Sequence, residues 1–331
     1  MEHGLLKNYH KFKYIKFTPA INLQNFSTRK RTEKSEGVSI VKYGKVWFKV
    51  NGNLALFKTY DGKGYKTGMK NIRMANELIC ANLAQQINIE SAKYETATNG
   101  TDSGLISYNF LKPKQKLLSL FHFLAPNIEL DSNLVDISEK INEYTLLGYE
   151  IDKETVIFDL YKYLIFDALT LQTDRHSENV NFILDKANHS LKIAPMIDNE
   201  FAFNIENLDE LNNQNELITY QKLLINYSEH SKTLDVRSEL SGTPKRHRHN
   251  IENIIDIAKA NPKMMDYLLF ALKKLNIKKA IADTEQMGIQ ISEDYKEYIT
   301  KIIQHTKRMV LQELNHTKDR PSTGLYEEYI K

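Results

Sequence analysis

TDRHSEN, residues 173–179, is the most informative segment of the chain. It follows residues 155–170, where apolar side chains recur at spacings of three and four, and this pattern predicts an amphipathic helix. It precedes a short apolar segment that predicts a strand. Asp174 and Asn179 therefore lie five residues apart on a loop between a helix and a strand. On such a loop the carboxylate of Asp174 can accept and orient a hydroxyl proton, and the side-chain oxygen of Asn179 can bind a magnesium ion.

A second acidic position lies at the end of a predicted β-hairpin. Residues 179–184 and 191–197 are short apolar segments on either side of a turn at residues 186–189. The second segment ends at Asp198, which lies 24 residues after Asp174. The hairpin would bring the carboxylates of Asp174 and Asp198 to the same opening of a site. Because magnesium favours carboxylate and phosphate oxygens, the pattern indicates a metal-dependent phosphoryl-transfer site.

The first third of the chain predicts the order strand, strand, helix, strand, strand. Alternating apolar residues and the turn signal Asn51-Gly52 predict a hairpin, and the apolar spacing then changes to the helical period. Asn99-Gly100 provides the turn of a second pair of strands. The predicted elements are strands at 46–50 and 54–60, a helix at 70–87, and strands at 93–96 and 105–110.

A phosphoryl-transfer site also needs a positive group on the phosphates, placed on a strand and braced by a carboxylate on a helix. Lys58 lies on the second predicted strand, and Glu77 follows 19 residues later within the predicted helix. We therefore expect Lys58 to bind the phosphates and Glu77 to pair with Lys58.

The chain after residue 111 predicts mostly helix, apart from the small hairpin. Asn261-Pro262 is an N-cap followed by a proline at the first helical position, and Ser292 is a second N-cap candidate. A β-rich small lobe followed by a larger helical lobe leaves a crevice between them, which is a common position for a ligand site.

This set of residues resembles the HipA-like serine/threonine protein kinase family. The catalytic loop of that family reads Asp-x-His-x-x-Asn, which Asp174, His176 and Asn179 match, and Ala194-Pro195 precede Asp198 as in the family. The resemblance covers roughly residues 37–315 and is strongest at 155–203. It implies that Asp174 is the catalytic base and that Asn179 and Asp198 bind Mg²⁺. The ATP-binding side chains that it implies are Lys58, Glu77, Tyr108, Phe110 and His176.

The implied fold is an α+β, two-lobed, protein-kinase-like fold. The small β-rich N-lobe would comprise residues 1–110, and the larger, mainly helical C-lobe would comprise residues 111–331 with the catalytic loop, the metal-binding hairpin and a helical bundle. Because no Cys or His partner lies near it, His176 is interpreted as a hydrogen-bonding residue that holds the loop.

The sequence departs from the usual kinase motifs at two places. Asp198 is followed by Asn199 and Glu200 rather than by Phe-Gly, and no Gly-x-Gly-x-x-Gly is present. The nucleotide loop would therefore lie near residues 35–39. The corresponding loop of the family carries a serine that can be autophosphorylated, so the resemblance makes Ser35 and Ser39 the candidates.

Composition excludes several other classes of protein. The chain has 331 residues, of which 41% are hydrophobic and 26% charged, and no run of 18 apolar residues predicts a membrane span. The single cysteine, Cys80, excludes an internal disulfide and a multi-cysteine zinc site. A net charge of +3 does not predict direct nucleic-acid binding, and the basic run at 244–249 is interpreted as a surface loop. No classical signal peptide is seen, so we expect a cytoplasmic protein, or one secreted or translocated by another route.

Three functions fit the motif. The first is an autophosphorylating protein kinase with ATP and Mg²⁺, which the resemblance links to toxin–antitoxin systems or secreted effectors. Its substrate would be a protein, in the translation machinery or in a host, and an antitoxin would be its partner. The alternatives are a phosphoinositide-like lipid or small-molecule kinase, because Asp174-Arg175-His176 and Asn179 match that loop as well, and a pseudokinase that binds without turnover. The acidic segment at 204–216 argues against a phosphorylated headgroup.

Overall fold

The protein has a two-lobed, kinase-like α+β fold, as the sequence predicted. The computed structural model describes residues 16–25, 45–60, 69–124, 134–175, 177–205 and 250–316. The small lobe contains β1 (Lys16–Phe17), β2 (Ile21–Asn22), a 3-10 turn (Leu23–Asn25), β3 (Lys45–Val50), β4 (Asn53–Thr59), α1 (Met69–Gln86), β5 (Tyr94–Thr98) and β6 (Ser103–Tyr108).

The large lobe follows in the order of the chain. Its elements are β7 (Gln115–Ser119), α2 (Leu120–Leu124), α3 (Leu134–Leu146), α4 (Lys153–Thr170), β8 (Asn181–Asp185), β9 (Ser190–Ile193), α5 (Asn250–Ala260), α6 (Pro262–Lys274), α7 (Ile277–Gln286), β10 (Ile289–Gln290) and α8 (Glu293–His316). The exact boundary between the lobes, placed at 110/111 from the sequence, stays a prediction.

The five-stranded sheet of the small lobe has the order β2-β5-β6-β4-β3. Its β3–β4 hairpin turns at Asn51 and Gly52, which both have positive φ values, 48° and 82°. A two-residue turn with both residues in this region matches the right-handed twist of the paired strands. This is why Asn-Gly at these positions fixes the register, in which Lys45 lies opposite Lys58.

The two faces of this hairpin have different roles. Phe48 and Phe57 pack edge to face, with 6.2 Å between their ring centroids, in a small core on one side of the sheet. Successive side chains of a strand point to opposite faces. Trp47, Leu56 and Lys58 therefore share the opposite face, which lines the cleft between the lobes.

Helix α1 joins the two lobes. Its Glu77 accepts a hydrogen bond from Tyr94 of β5 at 2.6 Å, and the helix contacts α7 of the large lobe. Asn82 Nδ2 donates to Thr284 Oγ1 at 3.0 Å, and Gln86 exchanges two hydrogen bonds with the backbone of Asn276. The helix is therefore buried on nearly every side, and its position is fixed by residues about 200 positions away in the sequence.

Helix α4 places the segment before the predicted catalytic loop in the core. It begins after Asp152, whose carboxylate accepts a hydrogen bond from Thr155 N at 3.0 Å, and ends at Leu171 in the left-handed conformation, with φ 48°. Its last two turns are wholly buried. The loop that follows lies against the segment after β9, where Thr173 Oγ1 donates to Phe201 O at 3.4 Å.

The three-stranded sheet β7-β8-β9 differs in part from the sequence interpretation. Residues 115–119 lie in the part of the chain that predicts mostly helix, yet they form β7. The segment QKLLS has no apolar alternation, and its strand conformation comes from pairing with β8, in which Gln115 lies opposite Asp185. Strand conformation depends more on such neighbours than on intrinsic preference.

The C-terminal helices begin where the sequence predicted. Asn261 caps α6, with Pro262 at the first helical position, and Ser292 Oγ accepts a hydrogen bond from Tyr295 N at 3.4 Å at the start of α8. The last short strand, β10, pairs with β1. Among the described helices, none is both long and apolar enough for a membrane span.

Candidate functional site

The cleft between the lobes is a mostly apolar cavity of about 130 Å³. Five residues predicted from the sequence line it: Lys58, Glu77, Tyr108, Phe110 and Asp198. A largely apolar cleft with a few convergent polar groups is the usual form of a small-molecule site. The remaining lining residues are Trp47, Leu56, Tyr60, Tyr94, Leu105, Ser107, Asn109, Leu111, Leu117 and Ile197.

Lys58 meets two carboxylates at the polar end of the cleft. Its Nζ forms an ion pair with Asp198 Oδ1 and lies 3.1 Å from Glu200 Oε2. Burial by itself would lower the pKa of Lys58, but the negative charges of Asp198 and Glu200 outweigh it and hold the pKa well above its usual value. The ammonium group is therefore charged at neutral pH and lies beside the predicted metal ligand.

Glu77 has other partners than the sequence suggested. Its Oε1 accepts a hydrogen bond from Tyr94 OH at 2.6 Å, and its Oε2 accepts one from Asn199 N at 2.7 Å. No ion pair within 4.0 Å joins it to Lys58 in the part of the chain that the structure describes. Burial raises the pKa of Glu77 to about 7, although Lys58 opposes the shift.

Glu200 fills the position next to Lys58. The sequence analysis noted this residue only as a departure from Phe-Gly after Asp198, and the structure buries it to 6% exposure. Its Oε1 lies 2.5 Å from Arg73 Nη2, and Arg73 also donates to Tyr60 O at 3.1 Å. In place of the predicted Lys58–Glu77 pair, two cations, Lys58 and Arg73, converge on Glu200.

The predicted catalytic loop lies directly against the Asp198 segment. Gln172 links them: its Oε1 accepts a hydrogen bond from Asp174 N at 3.2 Å, and its Nε2 donates to Asp198 O at 3.2 Å. Asn179 Nδ2 donates to Asp174 O at 2.7 Å and closes the loop. The structure therefore brings Asp174, Asn179 and Asp198 together. Gln172, which the sequence analysis did not single out, holds the two segments in register.

Arg175 is a second residue that the sequence analysis missed. It is fully buried, and its guanidinium donates to both oxygens of Asp167 at 3.1–3.3 Å. It also donates to Ile197 O at 2.6 Å and to the side chain of Asn199. Arg175 thus connects the last turns of α4 to both neighbours of Asp198. The signal in the sequence was Asp167, an acidic residue within an otherwise apolar helical stretch.

The backbone around Asp198 is held in an uncommon conformation. Asp198 has φ 62°, a region that non-glycine residues occupy rarely and that costs of order 1–3 kcal/mol. Asn76 stabilises the chain beyond it, because its Nδ2 donates to Glu200 O at 3.2 Å and to Ala202 O at 3.0 Å. Tyr295 OH in turn donates to Asn76 Oδ1 at 2.6 Å. A strained residue supported from several elements is typical of a functional site.

The oxygen donors at this site suit magnesium. Asp198 contributes a carboxylate, and Asn179 offers its amide oxygen because its nitrogen is engaged with Asp174 O. The described residues contain no cluster of three His, Cys, Asp or Glu that could hold a metal by themselves. Magnesium sites that use one or two protein ligands and complete the shell with substrate phosphates and water have this composition.

Three predicted positions lie outside the described residues. They are His176, whose predicted role was to hold the loop, and the two candidate autophosphorylation sites, Ser35 and Ser39.

Comparisons with known proteins support the fold. No family model and no curated protein matches the sequence. The Helicobacter pylori proinflammatory kinase CtkA shares the fold with a TM-score of 0.62 at 15% identity, over 92% of this chain and 100% of that chain. A Shewanella oneidensis HipA structure with HipB and operator DNA aligns at TM-score 0.46 and 12% identity over 88% and 67% of the two chains. A Neurospora crassa PAN3 pseudokinase mutant aligns at TM-score 0.28 and 13% identity over 96% and 74%. The likeness to CtkA shows the kinase-like fold.

Proposed function

We propose that the protein is an ATP- and Mg²⁺-dependent serine/threonine protein kinase of the HipA-like type. The observation that carries the proposal is the convergence of Lys58, Asp198 and the Asp174–Asn179 loop at the polar end of an apolar cleft. A cation, two hard oxygen ligands and a carboxylate that can act as a base are the groups that phosphoryl transfer requires. The fold shared with the kinase CtkA supports the same reading.

Each residue has a role in this proposal. The purine would lie in the cleft beside Tyr108 and Phe110, and Lys58 would contact the phosphates. Asn179 and Asp198 would hold Mg²⁺, which supplies charge neutralisation on the phosphate oxygens when bound. Asp174 would align the acceptor hydroxyl and take its proton as the new oxygen–phosphorus bond forms and the bond to ADP breaks.

The phosphoryl acceptor and the protein partners are also proposed from the resemblance. A serine or threonine of a protein, in the translation machinery or in a host, fits the resemblance, and an antitoxin is the partner that toxin–antitoxin members of the family would have. Ser35 and Ser39 are the proposed sites of autophosphorylation.

Radiolabelled transfer tests the proposal. The purified protein is incubated with ATP labelled in the γ-phosphate and with Mg²⁺, beside Asp174→Ala and Asp198→Ala. We expect label on the wild type alone, while Asp174→Ala still binds ATP by calorimetry and keeps the wild-type melting temperature. Label on Asp174→Ala would refute its role. ATP binding without any transfer to protein would identify a pseudokinase or a small-molecule kinase, and no ATP binding would refute the proposal.

A further inference from the structure

Glu200 stands where the sequence placed Glu77. Its two carboxylate oxygens face two cations, with Oε2 3.1 Å from Lys58 Nζ and Oε1 2.5 Å from Arg73 Nη2. The side chains of Glu200 and Arg73 are 8% and 7% exposed. Charge pairs in such a water-poor environment interact more strongly than at the surface, provided that each charge has a partner. Arg73 therefore holds Glu200 in the position from which its other oxygen contacts Lys58.

Glu77 is engaged with the backbone of the metal-binding segment. Its Oε2 accepts the hydrogen bond of Asn199 N, the residue after Asp198, and its Oε1 accepts that of Tyr94 OH. Among the described residues the ion-pair partners of Lys58 are Asp198 and Glu200. The contacts of Glu77 are thus those of an anchor for the chain next to Asp198, rather than those of a partner for the lysine.

We propose that Glu200 is the positioning residue for Lys58 and that Glu77 anchors the Asp198 segment. The inference rests on the proposed kinase function and specifies how the phosphate-binding lysine is held. If Asp198 held Mg²⁺, its carboxylate would be shared with the metal, and Glu200 would remain as the carboxylate beside Lys58. Glu200 would act through its ion pairs with Lys58 and Arg73, which lie at different oxygens of its carboxylate.

A double-mutant cycle with Lys58 tests this assignment. The variants are Glu200→Gln, Glu77→Gln and Lys58→Met, and the two doubles Glu200→Gln/Lys58→Met and Glu77→Gln/Lys58→Met. The dissociation constant of Mg-ATP is measured by calorimetry for each. Gln keeps the shape and one acceptor oxygen of Glu, so the two glutamate variants are matched and differ only in position.

We expect Glu200→Gln to weaken ATP binding about tenfold or more, because the neutral amide removes the carboxylate partner of a buried ammonium group. In the Lys58→Met background the same change should have almost no further effect, because the residue through which Glu200 acts is gone. Glu77→Gln should weaken binding in both backgrounds to a similar extent, because its contact is with the backbone of Asn199. A general loss of stability would not make the effect of Glu200→Gln depend on the presence of Lys58.

The outcomes separate the inference from the function on which it rests. No Mg-ATP binding by the wild type refutes the proposed kinase and this inference together. Binding by the wild type with additive effects of Glu200→Gln and Lys58→Met refutes the inference alone, as does non-additivity at Glu77 in place of Glu200. Circular dichroism confirms that each variant is folded. If Glu200→Gln does not fold, Glu200→Asp, which keeps the charge but shortens its reach, enters the cycle with the same expected result.

Discussion

Neutralising Asp167 should destabilise the protein severely. In Asp167→Asn the guanidinium of Arg175 stays charged, because arginine does not lose its proton in proteins, and it stays fully buried. The variant removes the counter-charge from three donated hydrogen bonds of 3.1–3.3 Å. Breaking a buried ion pair from one side costs about 3–5 kcal/mol. That is a large part of the roughly 5–15 kcal/mol by which a folded domain is stable.

Urea unfolding, followed by circular dichroism and extrapolated to water, measures this loss. The matched control is Asp283→Asn, which removes the carboxylate of an exposed pair, Lys279–Asp283, with 3.9 Å between the charged atoms. Exposed pairs contribute about 0–1 kcal/mol. A loss below about 1 kcal/mol in Asp167→Asn, with an unchanged dependence on urea, would refute the proposal that this pair holds the TDRHSEN loop. The double variant Asp167→Leu/Arg175→Met leaves no unpaired charge, so it should recover part of the lost stability. The recovery should be incomplete, because methionine cannot replace the hydrogen bond from Arg175 to Ile197 O.

Three further predictions concern other elements. Asn261→Ala removes the acceptor of two backbone N–H groups at the start of α6 and should lower the free energy of unfolding by about 0.5–2 kcal/mol, measured by thermal unfolding. Asn261→Asp keeps an acceptor oxygen and should cost much less. Equal losses in the two variants would contradict the capping role. Gly104→Ala places a Cβ 2.3 Å from Lys58 O, so β6 must move away from β4. We expect the free energy of unfolding to fall by about 1–3 kcal/mol and ATP binding to weaken. Wild-type stability in this variant would show that the two strands can separate at no cost. Hydrogen bonds from Gln115 and from the backbone of the β8–β9 turn lower the pKa of Asp185 to about 2, so its contribution to stability is present above the ordinary pKa near 4 and is lost as the pH falls towards 2. The difference in unfolding free energy between wild type and Asp185→Asn should therefore shrink over that range, and a difference independent of pH would contradict this assignment.

The local patterns of the sequence predicted the elements that carry the site. Asn51-Gly52 fixed the β3–β4 hairpin, and strand alternation then placed Lys58 on the cleft face with Leu56. The helical spacing before the TDRHSEN loop predicted α4. These features depend on residues near one another in the chain, which is why a period or a turn signal reveals them.

The charged network around Lys58 could not be predicted in the same way. Arg73 and Glu200 lie 127 residues apart, and nothing in the local sequence of either indicates that they are buried together. Charged residues are usually solvated unless a partner is present, so an isolated Glu after a strand reads as a surface residue. The same reason hid Arg175, whose partners come from α4 and from the segment around Asp198.

The small lobe is completed by residues made late in synthesis. Strand β1 pairs with β10, and Asn82 and Gln86 of α1 find their partners at Thr284 and Asn276. At a translation rate of roughly 5–20 residues per second, about 10–40 s pass between the emergence of β6 and of α7. During that interval Asn82 and Gln86 lack the partners that α7 and the residue before it supply. The five-stranded sheet and its helix thus receive part of their support only after α7 has been made, and a chain that terminates before Asn276 would lack the partners of Asn82 and Gln86.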